Sequence, residues 1–295
     1  MHPRPFPALL TLAGAALVTF AASPSLAQEN TSGVPIPPVP SFDKQSPETY
    51  GRALAGYTER RGEGWGDQYS VGALTLYDAK DDAVKRSIIQ MSMENKTGDK
   101  SLIRFRSPAE IKGVAALTHE HTDAPDDTWL YLPASKRVRR ISGANRTASF
   151  QGTEFTYEDL ATRAVDKYQW RFLGDEAVGD AQVYKLEAKP TYSDTSYSRL
   201  VVYLSKEHWR AEKLDLYDKA GKLLKILTVK NWKRFHGRYW RATTTEMQNV
   251  QTKKRTVIEL KALIVTLKLS KSKKTGKPRK SLSDKNFTTR SLEGR

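Results

Sequence analysis

The stretch "WLYLPASKRVRRIS" at residues 129–142 predicts a β-hairpin. Apolar and aromatic residues fill its first half, a proline marks the turn, and cations dominate the returning half. Because side chains alternate across a strand, Val138 and Arg140 share one face and Arg137 and Arg139 share the other. The cations are therefore split between two faces, and antiparallel pairing is the expected building unit of the fold.

Strand-like segments with a period of two continue on both sides of this hairpin, and turn signals such as Gly179-Asp180 and His236-Gly237 separate them. This spacing favours hairpins over βαβ units. A sheet of about eleven strands must curl, so the predicted fold is mainly β (α+β), with a single strongly curved antiparallel sheet. The predicted strands are 70–78, 84–94, 100–106, 128–132 with 137–142, 168–174, 181–188, 198–204, 211–217, 222–232, 238–248, 254–267 and a last one near Phe287.

Three helices are predicted. Ser46 and Pro47 are a typical helix start, and Gly62 is a plausible stop for an amphipathic helix. Two capping-box patterns predict short helices at 108–116 and from Thr156 to about Val165. Because so few helices cannot cover both faces of a large sheet, we expect them to lid its concave face.

The N-terminal region predicts export. Residues 1–27 combine Arg4, an uncharged apolar stretch and a small-residue cleavage site ending at Ala27, which is typical of a signal peptide. A Pro-rich linker, 28–44, precedes the expected carrier domain, 45–295. With no cysteine in the chain to carry a lipid anchor, the predicted location is periplasmic.

The charge of the chain predicts anionic partners. The net charge is +16, and removal of the predicted signal peptide, with its one basic residue, leaves +15. Export argues against nucleic acid, so the expected anionic partner is a membrane surface.

Sequence patterns of catalysis are weak, so the chain is predicted not to be an enzyme and to need no cofactor. There is no cysteine and no Gly-x-Ser-x-Gly elbow. His119 and His121, with Asp123, Asp126 and Asp127 nearby, leave a metal-dependent hydrolase as an alternative, although a polar loop is the simpler interpretation. Similarly, Glu154, Glu158 and Asp159 could supply an acid/base carboxylate pair, but the simpler account is that Asp159 caps a helix and Glu158 lies favourably at the N-terminal dipole of that helix.

Five stretches together carry a family resemblance: "LIRFRSPAEIKGVAAL" (102–117), "WLYLPASKRVRRIS" (129–142), "SFQGTEFTYEDL" (149–160), "MQNVQTKKRTVIEL" (247–260) and "FTTRSLEGR" (287–295). The chain resembles the outer-membrane lipoprotein-sorting protein family with a LolA-like domain. The resemblance implies an incomplete antiparallel β-barrel with helices across its open mouth. It also implies a carrier whose apolar cavity takes the acyl chains of a lipoprotein or other lipid-like cargo across the periplasm.

The chain departs from the family pattern at two places. Gly152-Thr153-Glu154-Phe155 stands where Gly-Ser-Asp-Phe is expected, and the basic insertion 270–280 is unusual. Members of this branch are suspected of working with RND-type inner-membrane exporters, so an accessory or adaptor subunit of such an exporter is the alternative function.

Candidate site residues follow from the strand patterns. Broad aromatic and flexible methionine side chains suit variable acyl chains. Arg137, Arg139 and Arg140 are candidates for headgroup or structural charges, and Arg140 is expected to need a partner such as Glu154, Glu158 or Asp159. No metal ligand is predicted. The candidates for the cavity lining are Ile89, Met91, Met93, Ile103, Phe105, Trp129, Tyr131, Trp170, Phe172 and Tyr203.

Overall fold

The computed structural model describes residues 35–41, 46–122, 124–161, 163–266 and 281–294. The predicted signal peptide, 1–27, and the basic insertion, 270–280, lie outside the described residues, and the predicted linker is described only at 35–41.

The described residues form one antiparallel sheet of thirteen strands rather than about eleven, and twelve of the segments predicted above coincide with one of these strands. Strand β4 was missed, because a short helix was predicted over its start. The strands are β1 (Asp67–Tyr77), β2 (Ala83–Met93), β3 (Lys100–Ser107), β4 (Ala115–His119), β5 (Asp127–Leu132), β6 (Arg137–Ile141), β7 (Tyr168–Val178), β8 (Ala181–Pro190), β9 (Arg199–Ser205), β10 (Ala211–Tyr217), β11 (Leu223–Phe235), β12 (Tyr239–Asn249) and β13 (Arg255–Thr266).

The order of the strands puts the first and last strands, β1 and β13, in the middle of the sheet. Strands β1 to β6 form one meander, β7 to β13 form another, and β1 pairs with β13 to join them. Consecutive strands β6 and β7 consequently lie at the two opposite edges, and the sheet is not closed. The connection 142–167 must therefore run from one edge to the other across a face of the sheet.

Helix α1 (Pro47–Gly62) confirms the first predicted helix. The side chain of Ser46 accepts a hydrogen bond from the backbone nitrogen of Thr49 at 3.2 Å, and Pro47 occupies the first turn, where its missing N–H costs nothing. The helix lies very close to β7, since a Cβ on Gly51 would be 2.6 Å from the backbone nitrogen of Phe172. Among the described residues, no helix is both long enough and apolar enough to cross a bilayer.

The predictions of two short helices, at 108–116 and from Thr156 to about Val165, were wrong. Gly113 donates a backbone hydrogen bond to Phe105 at 2.9 Å, so residues 108–114 make the turn that leads from β3 into β4. Likewise, the described residues of the segment from Thr156 form the short 3₁₀ turn Glu158–Leu160, and a second 3₁₀ turn, Val165–Lys167, begins where the helix was expected to end. The strand expected near Phe287 was also wrong, because 3₁₀ turns at Asp284–Asn286 and Arg290–Glu293 take its place.

Candidate functional site: the covered face of the sheet

One face of the sheet, the helix face, carries an apolar surface across both meanders. Directly paired residues of antiparallel strands share a face. By this register, Ile103, Ala116 and Leu130 are aligned in the first meander, and Leu227, Leu214, Val202, Leu186 and Phe172 are aligned in the second. The pair of Leu74 with Ile258 joins the two rows, because Ile258 packs against the apolar clusters of both meanders.

The other face, the reverse face, carries a separate apolar row. Register aligns Met91, Leu102, Leu117, Trp129 and Arg140. The C-terminal segment 281–294 covers this row with Leu282, Phe287 and Leu292, and the latter two side chains are buried.

The structure divides the ten cavity candidates between these two faces. Ile103, Phe105, Trp170 and Phe172 lie on the helix face. Tyr203 lies on the reverse face of the second meander, where its hydroxyl donates to an Asp215 carboxylate oxygen at 2.8 Å. Sequence could not make this division, since both faces are apolar. The candidates on the reverse face of the first meander are Ile89, Met91, Met93, Trp129 and Tyr131.

Helix α1 is the first cover of the helix face, and its contacts are mainly aromatic and apolar. Leu54 is completely buried against a cluster that includes Leu186 and Leu204. The ring of Tyr50 lies 4.7 Å from that of Phe172. The hydrophobic effect therefore holds α1 to the sheet, at about 1.5–3 kcal/mol for each fully buried large side chain.

The second cover is residues 148–160, which we call the cover segment. It is part of the connection that must cross the sheet from β6 to β7. Its Phe150 ring stacks at 5.5 Å on Phe105 and meets Tyr157 edge-on at 5.6 Å. Phe155 joins the apolar cluster of the second meander. The cover segment consequently bridges the two halves of the helix face.

Buried polar groups, rather than apolar contacts alone, fasten the end of the cover segment. We call Glu158, Asp159, Tyr192, Tyr197 and Lys225 the polar latch. Glu158 accepts hydrogen bonds from the Tyr192 hydroxyl at 3.0 Å, from the Thr195 hydroxyl, and from the Ser196 backbone nitrogen at 3.0 Å. Its oxygens are thus satisfied although it is buried.

Asp159 is the centre of the polar latch. Its carboxylate accepts from the Tyr197 hydroxyl at 2.9 Å and forms an ion pair with Arg163 at 3.1 Å. The ammonium of Lys225 lies 3.8 Å away, and its side chain is only 7% exposed. Asp159 also accepts from the Thr156 backbone nitrogen, as the capping interpretation predicts.

The tyrosines of the polar latch remain protonated donors. Burial, together with the neighbouring Asp159 carboxylate and its hydrogen bond, raises the pKa of Tyr197 well above its usual value. Burial, Tyr168 and Glu158 raise the pKa of Tyr192 in the same direction. Hydroxyls that cannot ionise keep donating to the two carboxylates over the physiological pH range.

A second set of contacts connects the middle of the cover segment to the sheet. Lys225 donates to the Glu154 carbonyl at 2.6 Å, and Asn249 donates to the Glu154 carboxylate at 3.0 Å. The Glu154 backbone nitrogen donates to the Thr256 hydroxyl at 2.9 Å. The role of Glu154 in fastening the cover was missed, although its family-like motif was noticed. The dense run of hydroxyl residues "TYSDTSY" (191–197) was the available signal for the partners of Glu158 and Asp159, whereas the partners of Glu154, in β11, β12 and β13, carried no such signal.

The three arginines of the returning hairpin strand do not form one group. Arg137 and Arg139 are exposed and pair in register with Leu132 and Leu130, so they leave the same face as the apolar helix-face row. Arg140 leaves the reverse face, and its partner is Asp127 rather than Glu154, Glu158 or Asp159.

The contacts around Asp127 show what His119 and His121, the residues of the alternative metal site, bind instead of a metal ion. Burial acts to raise the pKa of Asp127, but hydrogen bonds from His121 and Arg140 hold it below its usual value. His121 contacts Asp127 at 3.1 Å, whereas His119 donates from Nε2 to the Phe287 carbonyl at 2.7 Å. The imidazoles thus have separate partners, and in the described part of the chain no three histidine or carboxylate side chains are grouped to hold a metal ion. Asp123 lies outside the described residues.

Two surface clefts accompany the covers. One, of about 670 Å³, lies beside α1 and is lined by residues that include Thr49, Arg52 and Val165. The other, of about 450 Å³, lies between Trp129, Arg140 and the C-terminal segment. Polar and charged side chains contribute to both, so neither matches the apolar cavity that the sequence predicted.

Comparisons with known proteins agree with this architecture. A family model described as an uncharacterized protein matches residues 97–294. No curated protein matches the chain. Among solved structures, an outer membrane lipoprotein-sorting protein domain from Vibrio parahaemolyticus is 38% identical. Its TM-score is 0.75, and the match covers 82% of this chain and 98% of that one.

Two further structures extend the comparison. A DUF1329 family protein from Desulfovibrio piger is 29% identical, with a TM-score of 0.74 over 84% of this chain and 100% of its own. A LolA superfamily protein from Nitrosomonas europaea is 18% identical, with a TM-score of 0.60 over 82% of this chain and 98% of its own, and it shows the fold alone. The chain therefore belongs to the DUF1329 family and has the fold of the LolA superfamily.

Proposed function

We propose that this protein is a non-enzymatic periplasmic carrier, which binds the acyl chains of an outer-membrane lipoprotein or other lipid-like cargo on the helix face. The observation that carries the proposal is the cover segment, because it covers a continuous apolar face without being a strand of the sheet. An acyl chain that replaced its aromatic side chains would meet the same apolar surface.

The energetics of acyl transfer favour such an exchange. Each CH₂ removed from water contributes about 0.8 kcal/mol, so a lipid anchor needs a comparably apolar surface before it leaves a membrane. Phe150, Phe155 and Tyr157 protect that surface when cargo is absent. Opening the polar latch costs free energy, which the burial of cargo must exceed.

The comparisons support this proposal at the level of the family. The relative from Vibrio parahaemolyticus is an outer membrane lipoprotein-sorting protein domain. The predicted signal peptide, 1–27, supports delivery to the periplasm. Exposed Arg137 and Arg139 would sit beside lipid phosphates, since each cation near an anionic membrane contributes about 1 kcal/mol.

A disulfide that fixes the cover segment tests the proposal. The chain has no cysteine, so Glu154→Cys with Thr256→Cys would introduce a single pair, at two positions joined by a 2.9 Å hydrogen bond. We expect the oxidised protein to lose binding of a fluorescent C16 fatty-acid probe, and reduction to restore it. Titration of free thiols measures the extent of locking.

The two single-cysteine variants are the matched controls, because they carry the same substitutions but cannot form the intramolecular bond. Equal probe binding by the oxidised, reduced and single-cysteine proteins would contradict cargo entry beneath the cover segment. Mass spectrometry of lipids that co-purify with the wild-type protein identifies the cargo class, and a purified protein that carries none and binds no probe would overturn the carrier function.

The free edge of β6 favours a second candidate function, an accessory subunit of an RND-type inner-membrane exporter. In the part of the chain that the structure describes, residues 137–141 pair only with β5, which leaves the other edge of β6 for a partner strand. Cross-linking from an amber-encoded photoreactive residue at Arg137 tests this, with Lys185 on the distant second meander as the control position. Capture of no exporter subunit at Arg137 would count against it.

A further inference from the structure

A stacked cluster of cations and aromatic rings lies on the reverse face, far from the cover segment in the sheet. The Arg210 guanidinium lies between the Trp232 and Trp240 rings, at 4.4 and 4.3 Å from their centroids. Arg234 pairs in register with Trp240 and is two residues from Trp232, so all three leave the same face. Its guanidinium carbon is 5.7 Å from the Trp240 centroid.

Two carboxylates accompany the two arginines of the cluster: Glu212, and the exposed Glu207, whose oxygen lies 3.6 Å from His208 Nε2. Arg210 donates from Nε to Glu212 at 2.9 Å, and the second oxygen of Glu212 accepts from the Trp232 indole at 2.9 Å. The Glu212 carboxylate is therefore already shared. Within the described ranges, Arg234 forms an ion pair with no carboxylate.

Two donor nitrogens of the cluster lack acceptors. Arg210 Nη1 and Arg234 Nε are both buried, and neither has a hydrogen-bond partner among the described residues. A buried donor that is left unsatisfied destabilises the folded state, and more so when it is charged. Most buried polar groups in folded proteins are paired, so two unpaired guanidinium nitrogens against one Trp ring indicate a missing acceptor.

A histidine also belongs to the cluster. The His208 ring lies 4.8 Å from Trp240. Burial first, and then Arg210, lower the pKa of His208 below its usual 6.5, so the ring is neutral at pH 7. A neutral imidazole adds a hydrogen-bond donor without adding a further charge to the site.

We propose that Arg210, Arg234 and His208 form a binding site for an oxyanion of the phosphate or phosphate-ester type, with Trp240 as its apolar wall. Guanidinium groups present planar, permanently charged donors that match such oxyanions. The anion supplies the acceptor that the two buried nitrogens lack. Its source is either a soluble phosphate compound or a lipid headgroup, and the site does not depend on the proposed acyl cargo.

The test is a binding titration on the full-length mature protein. Tryptophan fluorescence is followed as inorganic phosphate is added, with sodium chloride of equal ionic strength as the reference. Sedimentation with phosphatidylglycerol vesicles, against phosphatidylcholine vesicles, provides the second measurement. We expect saturable binding in at least one measurement, and at least ten-fold weaker binding for Arg234→Gln.

Arg106→Gln is the matched control, because it removes the same charge from an exposed position on β3, in the other meander. It should bind as the wild type does. Saturation by free phosphate supports a soluble ligand, and binding only to phosphatidylglycerol supports a headgroup. Absence of binding in both measurements, or equal losses in Arg234→Gln and Arg106→Gln, would overturn the proposal. If Arg234→Gln does not fold, Arg234→Lys replaces it, since it keeps the charge but loses the Nε donor.

Discussion

Helix α1 and the cover segment lie on the same face of the same sheet, yet they are held by different forces. Around Leu54, α1 is fastened by apolar and aromatic packing. The cover segment adds to its aromatic contacts a polar latch in which Asp159 faces Lys225 and Arg163. Apolar packing is non-directional, whereas a buried ionic network requires its partners to be complete. The cover segment therefore depends on particular partner residues, whereas α1 depends on the apolar area that it buries.

The largest expected effect comes from removing the centre of the polar latch. Asp159→Ala would leave buried Lys225 without its carboxylate, at a cost of about 3–5 kcal/mol in the free energy of unfolding, which urea denaturation measures.

The double variant Asp159→Ala/Lys225→Met is the control for that prediction, because it removes both charges. It should be less destabilised than the sum of the two single variants. Strictly additive effects would show that the two groups are not coupled.

A substitution in the apolar contact of α1 should lower the free energy of unfolding somewhat less. Leu54→Ala removes a completely buried side chain, and we expect a loss of about 2–4 kcal/mol. The exposed Arg52 on the same helix is the control position, and Arg52→Ala should change the free energy by less than 1 kcal/mol, or about the value of a surface ion pair. A loss from Leu54→Ala no larger than that from Arg52→Ala would refute the distinction.

Asp99 is a half-buried carboxyl that forms no ion pair with any cation of the described residues, in contrast to Asp159, and the charge of Arg241 opposes the effect of burial on its pKa only weakly. Burial is the main cause that raises the pKa of Asp99 from 3.8 to about 6. The unfolded chain loses this proton at a lower pH than the folded chain does, so the free energy of unfolding should fall as pH rises from about 4 to about 6.

Asp99→Asn should therefore stabilise the protein at pH 7, by about 1–3 kcal/mol, and should not do so near pH 4. An asparagine keeps the acceptor for the Asn95 backbone nitrogen. Urea unfolding of both proteins across this pH range measures the difference, and a pH-independent effect would show that ionisation is not its cause.

The smallest effect is expected from an exposed ion pair. Arg140 is 63% exposed on the side-chain surface, so Arg140→Gln should cost less than about 1 kcal/mol despite its contact with Asp127. Thermal unfolding measures this cost. A loss as large as that of Asp159→Ala would mean that burial does not separate the two kinds of charge pair.

Local patterns predicted most of the elements correctly. The cap at Ser46 and the turns at Gly179 and His236 depend on residues that are close in sequence, and they appear in the structure. The helix at 108–116 failed because a capping pattern was outcompeted by the hairpin from β3 to β4, in which Gly113 hydrogen-bonds to Phe105. A non-local sheet pairing overrode a local preference there.

Sequence by itself determined most of the strands, the first helix and the alternation of faces, because these depend on neighbours a few residues apart. Only the tertiary structure decided which apolar face is covered by which segment. The pairing of β1 with β13 sends β6 and β7 to opposite edges, so the connection between them must cross a face of the sheet, and the aromatic contacts of the cover segment place it on the helix face. Tyr192, Tyr197 and Lys225, the polar-latch partners of Glu158 and Asp159, are more than thirty residues away in the chain, so no local pattern could identify them.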